Sequence, residues 1–117
     1  MDAQERQDLE RYGSWERMTG GEWFLPSMPE AKEEHQRTFR LVKQLNELQN
    51  TDPERAEGIL REILPEESAV PGLHVPLNLE YGCNLVCGER VFINFGATIL
   101  AQATVTLGNG VMVGPNC

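Results

Sequence analysis

Between Cys87 and Cys117 an apolar, non-aromatic residue recurs every six positions: Cys87, Ile93, Ile99, Val105, Val111 and Cys117. This period restricts the chain more than any other feature, because neither a 3.6-residue helix nor a two-residue strand produces it. Each hexapeptide reads as one flat side of a coil. A second column, Val91, Ala97 and Ala103, breaks at Asn109, and Leu107-Gly108 and Val113-Gly114 restart the unit two residues later. Glycine follows the apolar residue at Gly88, Gly108 and Gly114. The fifth position holds Val91, Ala97, Ala103, Val111 and Cys117, none of them large, as a tight corner beside a coil axis requires. The alternative, a sandwich of alternating strands, has period two and needs no fixed glycine. With three sides to a coil, the spacing predicts fewer than two coils, and Cys117 falls on a repeat position with nothing to cap it. Solenoid units bury their faces only against neighbours, so the expectation is an incomplete coil with an open apolar end and an unpaired strand edge.

The charge lies elsewhere. Of 18 Asp+Glu and 10 Lys+Arg, only Glu89 and Arg90 fall between Tyr81 and Cys117. The net charge of −8 argues against nucleic acid, whose phosphates call for a basic surface, and against a polybasic membrane dock. No apolar run approaches the ~18 residues of a membrane span. The start, Met1 to Gly13, has no apolar signal segment. Three cysteines do not make a disulfide framework, so reduced thiols in a cytoplasmic compartment are expected.

The acidic part carries helix signals. Residues 1–17 are polar around Leu9, Tyr12 and Trp15, and read as a weak helix or a mobile tail, broken at Gly20-Gly21. Ser27-Met28-Pro29-Glu30 fits a capping box with proline just inside the start. From there to about Gln49, the residues Phe39, Leu41, Val42, Leu45 and Leu48 share one face, opposite Glu33, Arg37, Lys43 and Glu47. Thr51-Asp52-Pro53-Glu54 starts a second helix with Asp52 or Thr51 as its cap, Ala56, Ile59, Leu60 and Ile63 as its stripe and Pro65 as its stop. The short connection predicts an antiparallel hairpin. Residues 65–80 hold Pro65, Pro71, Gly72 and Pro76, and read as an extended linker without a regular ladder. The division is therefore a polar extension (1–17), a helical cap (18–64), a proline-rich linker (65–80) and a hexapeptide coil (81–117).

This order of parts, and several local motifs, resemble the maltose/galactoside O-acetyltransferase family of hexapeptide-repeat acyltransferases. Met18-Thr19-Gly20-Gly21-Glu22-Trp23-Phe24 is similar to the family's opening helix and its exit. Tyr81-Gly82-Cys83-Asn84 is similar to its Tyr-Gly-x-Asn lead into the coil, and Gly88 followed by Phe92-Ile93-Asn94-Phe95 to its aromatic-x-Asn-Phe segment. Thr104-Val105-Thr106-Leu107-Gly108-Asn109 and Val113-Gly114-Pro115-Asn116 match the next two repeats. The resemblance covers about residues 16–117. It implies an α+β fold, in which a helical cap precedes a truncated left-handed parallel β-helix. It implies a homotrimer that moves an acetyl group from acetyl-CoA to a sugar or small polyol hydroxyl, with a histidine as general base and the acceptor between adjacent subunits. Asn94 matches the family's sugar-contacting asparagine, and Phe92 stands where an aromatic walls the acceptor pocket. The family's catalytic histidine lies beyond the position of Cys117, as do the coils that cradle CoA, so no catalytic residue is assigned and the isolated chain is expected to be inactive. Family sugar contacts fall near Pro26, Glu80 and Gln102, of which Glu80 keeps a strong acceptor and Gln102 a weaker one.

The remaining candidates read as structural. His35 edges the first helix's apolar face as a packing or surface histidine, and His74 in the linker reads as solvated. Neither has a carboxylate or cysteine at ligand spacing, so no metal site is expected, and Cys83-x-x-x-Cys87 lacks a second pair. The absence of histidine from the repeats sets aside a metal-dependent enzyme on the same fold. Cys87 and Cys117 read as small core residues, and Asn94 reads equally as a coil-corner residue bonded to neighbouring backbone. Two functions stay open: the N-terminal part of a sugar O-acetyltransferase, and a non-catalytic module that docks on a longer paralogue's trimer.

Overall fold

The computed structural model describes all 117 residues, in an elongated body of 49 × 26 × 26 Å. Four helices come first: α1 (Ala3–Tyr12), α2 (Trp15–Thr19), α3 (Pro29–Leu48) and α4 (Pro53–Ile63). The polar extension is helical. Its start is a capping box in which the Asp2 side chain accepts from the Glu5 N–H and the Glu5 side chain accepts from the Asp2 N–H. Ser14 caps α2. The Ser27 box expected for α3 does not form. Met28 is the N-cap and makes no side-chain bond, because its side chain is buried with Met18, Ala31 and Tyr81. Packing there takes the place of a cap, and Pro29 still supplies a helical φ at the first turn. Of the two caps that the sequence offers for α4, Asp52 is the one used, accepting from the Arg55 N–H. Phe39, expected on the buried face, is instead 54% exposed and lies against the His35 ring at 4.3 Å.

Seven short strands follow: β1 (Gly72–Leu73), β2 (Leu77–Leu79), β3 (Leu85–Cys87), β4 (Phe92–Ile93), β5 (Ala97–Ile99), β6 (Val105–Leu107) and β7 (Met112–Val113). They pair in parallel as β1-β4-β7, β2-β5 and β3-β6, the three sides of a stacked coil. Two expectations are corrected here. Residues 65–80 are not an unpaired linker, since β1 and β2 in this stretch pair with β4 and β5. The first coil therefore begins before Tyr81, and β1–β3 and β4–β6 make two coils, with β7 beginning a third. The register also advances by 20 residues per coil, Gly72 to Phe92 to Met112 and Leu85 to Val105, where three hexapeptides would give 18. The two extra residues fall between the second and third sides. The innermost column is thus Leu73, Leu79, Cys87, Ile93, Ile99, Leu107 and Val113, and the strict six-residue column slips after Ile99.

Residues with left-handed backbone recur with the same period: Tyr81 and Ala101, Arg90 and Gly110, Gly96 and Asn116. Each pair occupies one corner of the triangle. Asn84 explains its place in the Tyr-Gly-x-Asn motif. Its buried amide donates to the carbonyls of Ala101 (2.9 Å) and Gln102 (3.3 Å), holding the widened corner of the next coil. Gly82 is required by proximity, for a Cβ there would sit 2.5 Å from Ile63 Cγ2 and 2.9 Å from the Ile63 carbonyl oxygen.

The helical hairpin closes one end of the coil. A single core runs from Leu41, Leu45, Ile59 and Ile63 into Leu73, Leu77, Leu85, Ile93 and Ala97. An exposed strand edge leaves N–H and C=O groups unpaired, and at the capped end side chains cover the edges of β1, β2 and β3, while β5, β6 and β7 keep the open edge expected at the far end. The Asn46 carboxamide both donates to the Leu77 carbonyl and accepts from the Leu77 N–H, each at 3.0 Å, as a neighbouring strand would. Gln49 donates to the Leu73 carbonyl at 3.3 Å. Ser68 Oγ accepts from the Cys87 N–H at 2.8 Å. Cys117 occupies the inward position one coil above Ala97, yet is exposed because no coil stacks on it; Cys87, with β6 above it, is buried as expected. No helix is long and apolar enough to cross a membrane.

Candidate functional site

The side formed by β1, β4 and β7 presents Gly72, Phe92 and Met112 outward in register. Gly72 lets the Phe92 ring lie across its backbone, for a Cβ there would be 3.1 Å from Phe92 Cδ2. The corner that follows carries His74 and, one coil on, Asn94. Backbone bonds place both: the His74 N–H donates to the Ile93 carbonyl at 2.9 Å, and the Asn94 N–H to the Val113 carbonyl at 3.0 Å. Asn94 Oδ1 accepts from the Phe95 N–H at 2.9 Å, so the corner role read from the sequence is present. The same oxygen lies 3.3 Å from His74 Nδ1. The His74 ring stacks on Phe95 at 4.5 Å and meets Phe92 edge-on at 4.9 Å.

Phe92 and Asn94 are thus brought together, and His74 joins them. His74 is exposed, as a linker residue would be, but its ring is held on both sides by aromatics. The sequence signal that would have found it is the 20-residue step from 74 to 94, which is invisible while residues 65–80 are read as unpaired. Phe95, quoted only as part of the Asn-Phe motif, supplies the second wall.

Glu80 and Gln102 do not join this group. Glu80 lies at a different corner, where its carboxylate faces His35 Nε2 at 3.5 Å. The His35 ring packs on Phe39 and near Tyr81 (5.7 Å), so His35 is the packing histidine expected of it. Burial, and then the Glu80 charge, push the Tyr81 phenol above its ordinary value. Gln102 is engaged through its carbonyl by Asn84, and Pro26 is exposed before α3.

The chain's strongest polar network is structural. Glu34 accepts from Arg37 (2.8 and 3.1 Å), Thr38 Oγ1 (3.0 Å) and the Cys83 N–H (3.1 Å). Thr38 Oγ1, wholly buried, accepts from the Gly82 N–H at 2.9 Å, and Arg37 donates to the carbonyls of Glu62 and Ile63 at the end of α4. The network pins the Tyr81–Asn84 turn to both helices of the hairpin. Burial alone would raise the Glu34 carboxyl, but the Arg37 guanidinium, the Cys83 N–H and Thr38 together hold it below the usual glutamate value of 4.5. Burial and the neighbouring Glu34 charge push the Cys83 thiol up to about 12, so it is no nucleophile at neutral pH. Burial also raises the Cys87 thiol. No three His, Cys, Asp or Glu side chains come together as a metal cluster would need.

The lowered Glu34 value has a testable sign. A carboxyl depressed in the folded state adds stability above its unfolded value, and that stability is lost as pH falls through the folded value. The stability gap between the native chain and Glu34→Gln should therefore be widest at neutral pH and shrink below about pH 4.5. Urea midpoints for both chains across that range measure it, and a gap independent of pH would contradict the assignment.

Comparison with known proteins places these features. Residues 17–67 match the maltose acetyltransferase hexapeptide capping motif. Nodulation protein L of Rhizobium leguminosarum bv. viciae is 33% identical over 100 residues, 86% of this chain and 53% of that protein. Galactoside O-acetyltransferase of Escherichia coli K12 is 27% identical over 101 residues, 86% of this chain and 50% of the relative. Among solved structures, a hexapeptide-repeat acetyltransferase of Vibrio cholerae in complex with acetyl coenzyme A superposes with a TM-score of 0.70 at 28% identity, over 88% of this chain and 56% of that one. The chain spans about half the length of the relatives it matches. Over the portion it shares with them, a cap of helices followed by stacked parallel strands, the chain belongs to the maltose/galactoside O-acetyltransferase family of hexapeptide-repeat proteins.

Proposed function

We propose that the chain forms the acceptor side of an acetyl-CoA-dependent O-acetyltransferase for a sugar or small polyol hydroxyl. The observation that carries this reading is the corner where Asn94 stands beside His74, whose ring lies against Phe92 and Phe95. The Asn94 oxygen is occupied by the Phe95 N–H, which leaves its NH2 to donate to an incoming oxygen. Aromatic walls beside such a donor suit a sugar, whose ring is apolar on its C–H faces and polar at its rim. The galactoside O-acetyltransferase relative supplies the reaction class by its name. A left-handed coil, a cytoplasmic location and a homotrimer with acceptors between subunits belong to this proposal through the family resemblance.

Acetyl-CoA would be the donor, but the residues present do not form a cradle for it. From Tyr81 onward the coil carries one cation, Arg90, beside Glu89, which is too little positive charge for a nucleotide carrying several phosphates. The chain's two histidines, His35 and His74, do not stand where the family's general base is expected. The proposed role of these 117 residues is therefore acceptor recognition, with acetyl transfer left to residues outside them.

Isotope-labelled chain titrated with methyl β-galactoside and with maltose tests the reading by NMR. Shifts should centre on Phe92, Asn94 and Phe95. Asn94→Ala should weaken the response by about tenfold, the loss of one hydrogen bond worth roughly 1.4 kcal/mol. Absence of any response to either sugar would overturn the proposal.

A further inference from the structure

We propose that Asn109 is a self-modification site: it converts spontaneously to aspartate and isoaspartate, at a rate set by its pairing with Glu89. Asn109-Gly110 is the only Asn-Gly pair in the chain. Glycine carries no Cβ, so its backbone nitrogen can approach the carboxamide of the residue before it. In the reaction the Gly110 nitrogen gives up its proton and bonds Asn109 Cγ. The Cγ–Nδ2 bond breaks, and ammonia leaves with that proton. Water then opens the cyclic imide. Attack at Cγ gives aspartate, and attack at the α-carbonyl gives isoaspartate, in which the backbone runs through Cγ. The site is open to water, since Gly108, Asn109 and Gly110 are all exposed. A Cβ at Gly108 or Gly110 would meet nothing within 4 Å.

Glu89, one coil below, holds both reacting groups. Its N–H donates to Asn109 Oδ1 at 2.8 Å, and its carbonyl accepts from the Gly110 N–H at 2.8 Å. The proton that the attacking nitrogen must lose is thus engaged, and the carboxamide cannot rotate without losing its own bond. Gly88 makes this seat possible, for a Cβ there would lie 2.5 Å from Asn109 Oδ1. The reaction therefore waits on local opening of the corner between β6 and β7, two strands whose outer edges are unpaired. Its consequence reaches β7. Isoaspartate adds one backbone carbon just before Val111, whose carbonyl accepts from the Phe92 N–H at 3.0 Å. The Val113 carbonyl likewise accepts from the Asn94 N–H at 3.0 Å. Shifting both loosens the strand that lies over Phe92 and Asn94, whatever those residues bind.

The test incubates the full 117-residue chain in mildly alkaline buffer, folded and in urea beyond its unfolding midpoint. Peptide mass spectrometry that separates aspartate from isoaspartate follows each asparagine. Modification should map to Asn109 and run at least about tenfold slower in the folded chain, which corresponds to an opening cost of ~1.4 kcal/mol or more. Gly88→Ala places a Cβ against the carboxamide and should bring the folded rate toward the rate in urea. Amide exchange on the native chain tests the same pairing without a variant: the Glu89 and Gly110 N–H groups should be protected. In the purified isoaspartate form the Phe92 and Asn94 amides should exchange faster than in the native chain. Equal rates in buffer and in urea, earlier modification at another asparagine, or unprotected Glu89 and Gly110 amides would overturn the proposal. So would a native rate in a folded Gly88→Ala chain. Unchanged Phe92 and Asn94 amides would overturn the reach to β7.

Discussion

Truncating Ile63 to alanine is expected to cost the folded chain about 2–5 kcal/mol, the range for deleting a fully buried aliphatic side chain. Ile63 has no exposed surface and closes the last turn of α4. Its Cγ2 and carbonyl oxygen lie against Gly82, so a cavity there would open at the contact between helical cap and coil. Refilling it would require the Tyr81–Asn84 turn to move, and Thr38 and Glu34 hold that turn by its backbone N–H groups. The expected result is one cooperative transition at lower denaturant, seen alike by helical circular dichroism and by NMR signals of Leu77 and Ile93. Loss of the helical signal while the coil signals stay would show that cap and coil fold independently.

Replacing Asn46 with leucine should be comparably damaging, although only a polar, half-buried residue is lost. Its amide completes the outer edge of β2 by bonding both the N–H and the carbonyl of Leu77, a residue 1% exposed. Leucine fills similar space but leaves a buried donor and a buried acceptor unpaired, at about 1–3 kcal/mol each. Thermal and urea denaturation should show a loss near the sum. Amide hydrogen exchange should show the protection of Leu77 falling further than that of Leu85, whose strand is paired with β6. A change below about 0.5 kcal/mol, the usual scale of surface substitutions, would mean that the amide does not serve as an edge partner.

Much of the architecture was legible in the residues because it rests on local rules. The capping Asp52 with Pro53, the apolar stripe of α4 and the hexapeptide period each express a preference that holds without a partner. The Asp2-x-x-Glu5 capping box was equally local and marks α1 plainly, yet the low apolar content of residues 1–17 obscured it. Ser27 shows the reverse case. The local pattern was sound, but burying Met28 outweighed a cap worth about 1 kcal/mol. In the coil, the six-residue rhythm was visible from Cys87 to Ile99 and was lost at the widened corner, where Ala101 takes a left-handed conformation that its side chain does not announce.

The candidate site divides in the same way. Phe92 and Asn94 are three residues or fewer apart and came from one motif. His74 reaches them only through the pairing of β1 with β4, and neither Leu73 nor Val75 beside it signals a strand two residues long. Sequence alone determined where the helices end, which residues face inward in most repeats, and the family, since these follow from short-range periodicity and motif. Tertiary structure decided that the proline stretch is the first coil, that each coil takes 20 residues, and that an imidazole stands beside Asn94. Those facts depend on which strands lie side by side, and parallel pairing across 20 residues leaves no mark within either strand.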